Sequence, residues 1–213
     1  MDSWIDISVP LHNGMVHWPG DRPFELRRES DLGAGEECNL SSFSTSAHAG
    51  THMDAPLHFI AGGSSMDQLP FEAAIGRARV IAIENRKRIT AGELERHGIR
   101  AGERLLFRTA NSARRWHDQP FDERFVSMDA GAAAYLARVK PALVGVDYIS
   151  VGGYESDGGE THRALLGAGI WVVEGLALGA VRPGEYEFVC LPLRIAGAEG
   201  APARAVLRPI AQT

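Results

Sequence analysis

Short segments that alternate apolar and polar residues, or that concentrate β-branched and aromatic residues, recur along the whole chain. Most of them are bounded by Gly, Pro or Asp, which is typical of strands that end in turns. Strands are therefore predicted at Trp4–Pro10, Phe24–Arg28, Asn39–Ala47, Arg77–Glu84, Arg104–Arg108, Leu143–Val146, Ile170–Glu174, Tyr186–Leu193 and Ala203–Arg208.

Signals for helices are fewer and fall in three places. Thr90 is a good N-cap for an amphipathic segment that stops before Gly98. Asp129 caps an Ala-rich run that reaches Lys140 and then meets a proline, which disfavours further helix. A shorter helix is predicted over Glu160–Leu166. Many strands with few helices predict an α/β protein with a mixed β-sheet, whose chemistry lies in the loops that follow strands.

Length and composition indicate one globular unit. The chain has 213 residues, of which 45% are hydrophobic and 23% are charged. That length suffices to bury a single large core, and the composition is ordinary for a globular protein. Since no repeat, low-complexity tract or linker interrupts the sequence, a single domain over residues 1–213 is predicted.

Charge and hydropathy narrow the range of partners. The formal net charge is −5 and the 22 Lys and Arg residues are dispersed, so the sequence offers no basic stripe for nucleic acid. No run approaches the roughly 18 apolar residues of a membrane helix, and the N-terminus lacks the pattern of a signal peptide. Cys38 and Cys190 are predicted to be buried free thiols. A cytoplasmic protein without a nucleic-acid or membrane partner is expected.

Three of the eight histidines and one aspartate fall within the segment His48-Ala-Gly-Thr-His52-Met-Asp54-Ala-Pro-Leu-His58. Gly50 and Pro56 disfavour a regular helix here. An extended or turning chain is predicted instead, in which Gly50 would allow a tight turn that brings His48 and His52 together. Where the chain is extended, side chains two residues apart point the same way, and these four residues all occupy even-numbered positions. Imidazole and carboxylate together suit zinc, manganese or iron, so a catalytic metal centre is predicted. The alternative is a set of polar side chains that are satisfied independently of one another.

The segment from His48 to Phe59 resembles the signature His-x-Gly-Thr-His-x-Asp-x-Pro-x-His-Phe of the cyclase-like metal hydrolases. That family includes bacterial kynurenine formamidase and isatin hydrolase. The signature fixes eight of twelve positions, which makes accidental agreement improbable. The resemblance extends over nearly the whole chain, through Trp18-Pro19-Gly20-Asp21, His162, Glu174-Gly175, Leu191-Pro192-Leu193 and the segment 200–207.

The resemblance implies a site with two zinc ions, with manganese as the other candidate metal. It implies that His48, His52 and Asp54 hold the first zinc. Asp54 would bridge to a second zinc bound by His162, and Glu174 would contact both ions. For Glu174, which ends an apolar strand, a cation would offset the cost of burying a carboxylate; a surface position at the strand end is the alternative.

The resemblance also implies roles for two residues outside the metal set. His58 would stay off the metals as general acid and base, and Trp18 would pack on the aromatic ring of the substrate, although simple core packing beside Pro19 is the alternative for Trp18. Tyr148 and Tyr154 are expected to change the volume and polarity of the pocket. The implied fold is a swivelling β/β/α domain, and the implied assembly is a homodimer. The other histidines are treated as structural or surface residues: His12, His17, His97 and His117.

The chemistry of these groups agrees with the resemblance. Two metals can activate water and polarise a carbonyl, and a histidine beside them can carry a proton to a leaving amine. The predicted function is hydrolysis of an amide-type C–N bond in a small aromatic amide or lactam, as in an arylformamidase. The alternatives are an isatin or lactam hydrolase with one manganese, a non-haem iron oxygenase that uses His52, Asp54 and His162, and a metal-binding protein without catalytic activity.

Overall fold

The structure is a computed structural model that describes residues 3–154 and 156–210. Its strands are β1 (Ile5–Asp6), β2 (Glu25–Ser30), β3 (Leu40–Ser44), β4 (His52–Asp54), β5 (Ile75–Ala82), β6 (Arg88–Ile89), β7 (Arg104–Arg108), β8 (Ser127–Met128), β9 (Leu143–Val146), β10 (Trp171–Glu174), β11 (Gly184–Pro192) and β12 (Gly200–Pro209). Its α-helices are α1 (Phe71–Ala74), α2 (Ala91–Glu95), α3 (Ala130–Val139) and α4 (Gly158–Gly167). Short 3₁₀ helices lie at Leu32–Ala34, Pro56–His58, Met66–Gln68, Ala110–Ala113 and Trp116–Asp118.

The main sheet is mixed and closes on itself. Within the described residues its strand order is β1-β12-β11-β5-β7-β9-β10-β4, and β4 also pairs with β12, so that the strands form a barrel. Strands β5, β7, β9 and β10 are parallel to one another. The pairs β5–β11, β10–β4 and β12–β4 are antiparallel. The predicted α/β class with a mixed sheet is confirmed.

Alternation along the central strands divides the core into two layers. On β7, Leu106 joins a cluster inside the barrel, whereas Leu105 and Phe107 point to the other face. That outer face packs on α2, α3 and α4 through residues such as Leu136 and Leu165. Because both faces are covered, the parallel strands read as continuous apolar runs.

Two predicted elements differ from the structure for local reasons. The segment Trp4–Pro10 forms only a short strand, because two of its backbone N–H groups bond to side chains and not to a neighbouring strand. The N–H of Ser8 donates to the Asp6 carboxylate, and the N–H of Val9 donates to Thr51 Oγ1. Helix α4 begins earlier than predicted, at Gly158. Glycine is needed at this position because a Cβ would lie 2.5 Å from the carbonyl oxygen of Gly153. Glycine is a poor helix former, so sequence propensity misses this turn.

Two further findings concern features outside the sheet. Among the described residues, no helix has the length and apolar character needed to cross a lipid bilayer. Both cysteines are free thiols, as predicted, but only Cys190 is buried; the prediction of a buried Cys38 is wrong, because Cys38 lies on the exposed segment that leads into β3.

Candidate metal centre

A tight turn and a short strand position the first group of polar side chains. Gly50 has a φ of +61°, a left-handed conformation that favours glycine, and the Leu11 side chain packs close to its Cα. The chain then enters β4, where His52 and Asp54 are both fully buried and point to the same side. The structure thus brings these two residues together as the sequence predicts.

The register of β4 against β10 brings in Glu174. His52 lies directly opposite Glu174 in this antiparallel pair, and His52 Nε2 is 3.2 Å from Glu174 Oε2. His162, from the second turn of α4, places its Nε2 3.2 Å from Glu174 Oε1 and 3.8 Å from Asp54 Oδ2. Residues that are more than a hundred positions apart in sequence therefore share one buried cluster.

Backbone carbonyl groups orient two of the histidine rings. His52 Nδ1 is 2.9 Å from the carbonyl oxygen of Gly50, and His162 Nδ1 is 2.7 Å from that of Gly158. A carbonyl oxygen can only accept, so each Nδ1 carries a proton, and in the neutral form of each ring Nε2 directs its lone pair into the cluster. This outer hydrogen bond is the usual arrangement behind a metal-binding histidine.

The centre contains buried polar atoms that lack hydrogen-bond partners among the described residues, namely His48 Nε2, His52 Nε2 and Asp54 Oδ2. An unpaired buried acceptor costs about 1–3 kcal/mol, so such a set is unfavourable unless a cation completes it. Two triads have ligand atoms within 4.8 Å of one another: His48, Asp54 and His58, and His52, Asp54 and Glu174. The donor set fits a divalent metal ion, and Asp54 belongs to both triads.

His58 follows a bend at Pro56, where the chain forms a 3₁₀ helix. The alternation of an extended chain does not reach this residue, because the fixed φ of Pro56 starts the helix. The His58 ring stacks on that of His48, with centroids 4.1 Å apart, and it faces the cleft above the cluster. Burial lowers the pKa of His58, and the neighbouring charges of His48 and His162 lower it further. A neutral imidazole therefore stands beside the cluster near pH 7.

The carboxylates of the cluster stay ionised. Burial and the charge of Asp54 raise the pKa of Glu174, but the hydrogen bond from His162 and the neighbouring His52 imidazole hold it below its ordinary value. Burial raises the pKa of Asp54, whereas the hydrogen bond from His48 and the charges of His48, His52 and His58 hold it well below its ordinary value. The pKa of His162 is raised: burial lowers it, but the bond to Glu174 more than offsets that effect.

The metal-free centre should make stability depend on pH through His48. Burial lowers the pKa of His48, but its hydrogen bond to Asp54 and the charges of Asp54, Glu174 and Glu199 raise it to about 9. Since this exceeds the ordinary value of about 6.5, the contribution to stability is complete below pH of about 6.5 and is lost as the pH rises through about 9. We compare the free energies of unfolding of the metal-free wild type and of metal-free His48→Gln. The advantage of the wild type should be about 3 kcal/mol smaller at high pH than at low pH. Urea denaturation of both proteins across this range measures the difference, and a difference that does not vary with pH would contradict the assignment.

A cleft with a volume of about 490 Å³ opens above the cluster. Trp18 and Tyr154 line one wall, with ring centroids 5.3 Å apart, and Phe121 packs behind them. Tyr154 thus shapes the cleft as predicted, whereas Tyr148 is buried behind the wall and stacks on Phe125. Of the histidines expected to be structural or surface residues, none lines the cleft within the described part of the chain, and His117 is buried beside Trp116.

Two acidic residues of the cleft were not singled out by the sequence. Glu199 precedes β12 and places Oε1 3.4 Å from His48 Nε2. Glu199 reaches this position because β12 pairs with β4. The next residue, Gly200, lies against the His48 ring, since a Cβ there would be 2.6 Å from His48 Cε1. Asp21 also lines the cleft, and it belongs to the same short segment as Trp18. Asp21 belongs to a segment that resembles the family, whereas Glu199 lies one residue before such a segment, at 200–207.

Comparison with known proteins identifies the family. A family model described as "Putative cyclase" matches residues 5–152. The kynurenine formamidase of Bacillus cereus is 36% identical over 207 residues, covering 97% of this chain and 98% of that protein. The kynurenine formamidase of Geobacillus thermodenitrificans is 38% identical over 208 residues, covering 98% of each.

Solved structures agree with this assignment. A predicted metal-dependent hydrolase from Bacillus stearothermophilus aligns with a TM-score of 0.85 at 28% identity, over 97% of this chain and 98% of that one. Isatin hydrolase A from Ralstonia solanacearum aligns with a TM-score of 0.80 at 25% identity, over 96% of this chain and 91% of that one. The chain belongs to the cyclase family of metal-dependent hydrolases, and the predicted cyclase fold is confirmed.

Proposed function

We propose that this protein is a metal-dependent hydrolase of an amide-type C–N bond and that its substrates are small aryl formamides. The observation that carries the proposal is the convergence of unpartnered buried ligand atoms from His48, His52 and Asp54. They belong to the cluster whose members His48, His162 and Glu174 line a cleft with an aromatic wall. The family relationship supports it, since the relatives described above are named kynurenine formamidases. The reaction consumes an N-aryl formamide and water and gives an arylamine and formic acid.

The proposed metal set is the one implied by the sequence resemblance. His48, His52 and Asp54 would hold one zinc ion, and Asp54, His162 and Glu174 would hold a second. The two groups of close ligand atoms in the structure, His48/Asp54/His58 and His52/Asp54/Glu174, share Asp54, which supports a bridging role for it. When bound, such ions would polarise the formyl carbonyl group and lower the pKa of water toward neutrality. Manganese is the other metal that this donor set suits.

The remaining chemistry falls to the protein's own side chains. His58, neutral near pH 7 because burial lowers its pKa, would accept a proton from water and then donate it to the departing arylamine nitrogen. Trp18 would pack against the substrate ring, since it forms part of the aromatic wall of the cleft. The buried position of the carboxylates excludes bulk water, which strengthens each electrostatic contact.

A second candidate reaction is hydrolysis of a lactam ring. The likeness to an isatin hydrolase supports it, and ring opening uses the same carbonyl and water chemistry. A non-haem iron oxygenase with His52, Asp54 and His162 is not favoured. It would leave His48 and Glu174 without a role although both lie within the cluster.

Metal removal tests the proposed function. Protein dialysed against a chelator should lose turnover of formanilide, and stoichiometric zinc or manganese should restore it, with elemental analysis giving the number of bound ions. Isatin assayed in parallel compares the two substrate classes, and strict anaerobic conditions should leave the rates unchanged. Full activity in protein shown to be metal-free would refute the proposal.

Three wider expectations from the sequence accompany this function. A single domain over residues 1–213 is supported by the pairing of β1 with β12, which joins the two ends of the chain in one sheet. The homodimer and the cytoplasmic location stay predictions. Two free cysteines agree with a reducing compartment.

A further inference from the structure

A four-residue turn presents an aromatic ring and a carboxylate to the same cleft. The N–H of Asp21 donates to the carbonyl oxygen of Trp18 at 3.0 Å, and Gly20 has a φ of +94°. Proline at the second position and a left-handed glycine at the third are the features of a type II turn, so the Pro19-Gly20 pair fixes this geometry. The first and last residues of the turn, Trp18 and Asp21, both line the cleft.

Asp21 is anchored through one oxygen only. Ser46 Oγ donates to Asp21 Oδ2 at 3.0 Å, and the same Oγ accepts the N–H of His48 at 3.2 Å. Among the described residues, no Lys or Arg lies within 4.0 Å of the Asp21 carboxylate, and no Lys or Arg lines the cleft. The second oxygen of Asp21 is therefore open to a ligand.

The other carboxylates of the cleft have different partners. Asp54 and Glu174 belong to the metal cluster, and Glu199 lies 3.4 Å from His48 Nε2. Asp21 ends the turn that begins at Trp18, and both residues line the cleft. A carboxylate and an aromatic ring that line the same cleft suit an organic ammonium group, which both can attract.

We propose that Asp21 is a specificity-determining residue that binds a protonated amino group carried by the aryl amide substrate. The inference rests on the proposed function, because it assumes that the substrate ring lies against Trp18. The cleft would then bind an aryl compound at two points: the amide at the metal cluster and the ammonium group at Asp21. Neutral or anionic aryl amides lack the second contact.

The test compares two probes in two variants. The probes are a formanilide with an aminoalkyl chain and the same formanilide with a hydroxyalkyl chain of equal length. The measured quantity is the ratio of their kcat/KM values, because a general loss of activity cancels in that ratio. Asp21→Asn keeps an acceptor for Ser46 Oγ but removes the charge, and Ser46→Ala removes the hydrogen bond but keeps the charge.

We expect the wild type to prefer the ammonium probe and Asp21→Asn to lower this preference about tenfold, mostly through KM. Ser46→Ala should keep the preference, and added salt should weaken it in the wild type. A ratio that is unchanged in Asp21→Asn, or that falls equally in Ser46→Ala, would overturn the inference and leave Asp21 as a support for the His48 turn.

A binding measurement separates this inference from the proposed function. Calorimetry with the corresponding anilines, which contain no formyl group, reports ring and ammonium binding without any turnover. Tighter binding of the ammonium aniline in the wild type, lost in Asp21→Asn, would support the role of Asp21 even if formamides were not hydrolysed. Equal binding of the two anilines by the wild type would refute it.

Discussion

Replacing His58 with alanine is expected to lower kcat by about 10²–10⁴-fold while the protein keeps its full complement of metal. The reason is the position of the ring, which stacks on His48 and faces the cleft without being one of the fully buried residues of the cluster. Its pKa is lowered by burial, so that it can accept a proton near neutral pH. Loss of the side chain removes the proton carrier and leaves the buried ligands in place.

Two measurements decide between a proton carrier and a ligand at this position. Elemental analysis of His58→Ala is needed because the ring nitrogen also lies within ligand distance of His48 and Asp54. Metal lost together with activity would make His58 a ligand and contradict the role proposed for it. His97→Ala, at the end of α2, controls for removal of a histidine from the chain, and added imidazole should restore part of the activity of His58→Ala alone.

Sequence reasoning succeeded where the chemistry is local. His52 and Asp54 lie two residues apart on a strand, so their shared direction follows from the strand period alone. The requirement for Gly50 also follows from the sequence, because a tight turn between two ligands needs a residue that tolerates positive φ. Strand positions were predictable for the same reason, since alternation and buried apolar runs are local patterns.

The rest of the centre depends on long-range register. Glu174 meets His52 because β10 pairs with β4 in one particular alignment, and a shift of one residue would turn the carboxylate to the opposite face. Composition and spacing carry no information on that alignment, so only the family resemblance suggested Glu174 and His162. Glu199 depends on the closure of the barrel by β12, and no local pattern predicts closure.

The buried charges explain why the centre is built this way. Burial of an unpaired carboxylate is costly, and Asp54 is fully buried with one oxygen lacking a hydrogen-bond partner among the described residues. Asp147, another fully buried aspartate, has a different solution. It accepts hydrogen bonds from the backbone N–H of Thr109 and from the hydroxyls of Thr109 and Ser112. Protein donors satisfy one aspartate, whereas the other is left for a cation.

Asp54 is the carboxylate that both groups of candidate ligands share. Asp54→Asn should lower activity by about 10³-fold or more, because loss of the shared ligand removes several kcal/mol of metal-derived stabilisation of the transition state. Metal content should fall with it, since Asp54 belongs to both candidate triads. Zinc added to metal-free wild type should raise Tm, as any ligand of the native state does, and this rise should vanish in Asp54→Asn.

Asp147→Asn is the matched control, because it makes the same substitution at an equally buried aspartate outside the metal cluster. It should lower the free energy of unfolding, since an amide nitrogen cannot accept the bonds that a carboxylate oxygen accepts from Thr109 and Ser112. Its metal content and its Tm response to zinc should nevertheless match those of the wild type. If Asp54→Asn retained both metal and the zinc-induced rise in Tm, Asp54 could not be the shared ligand. The buried, unpartnered oxygen would then need another explanation.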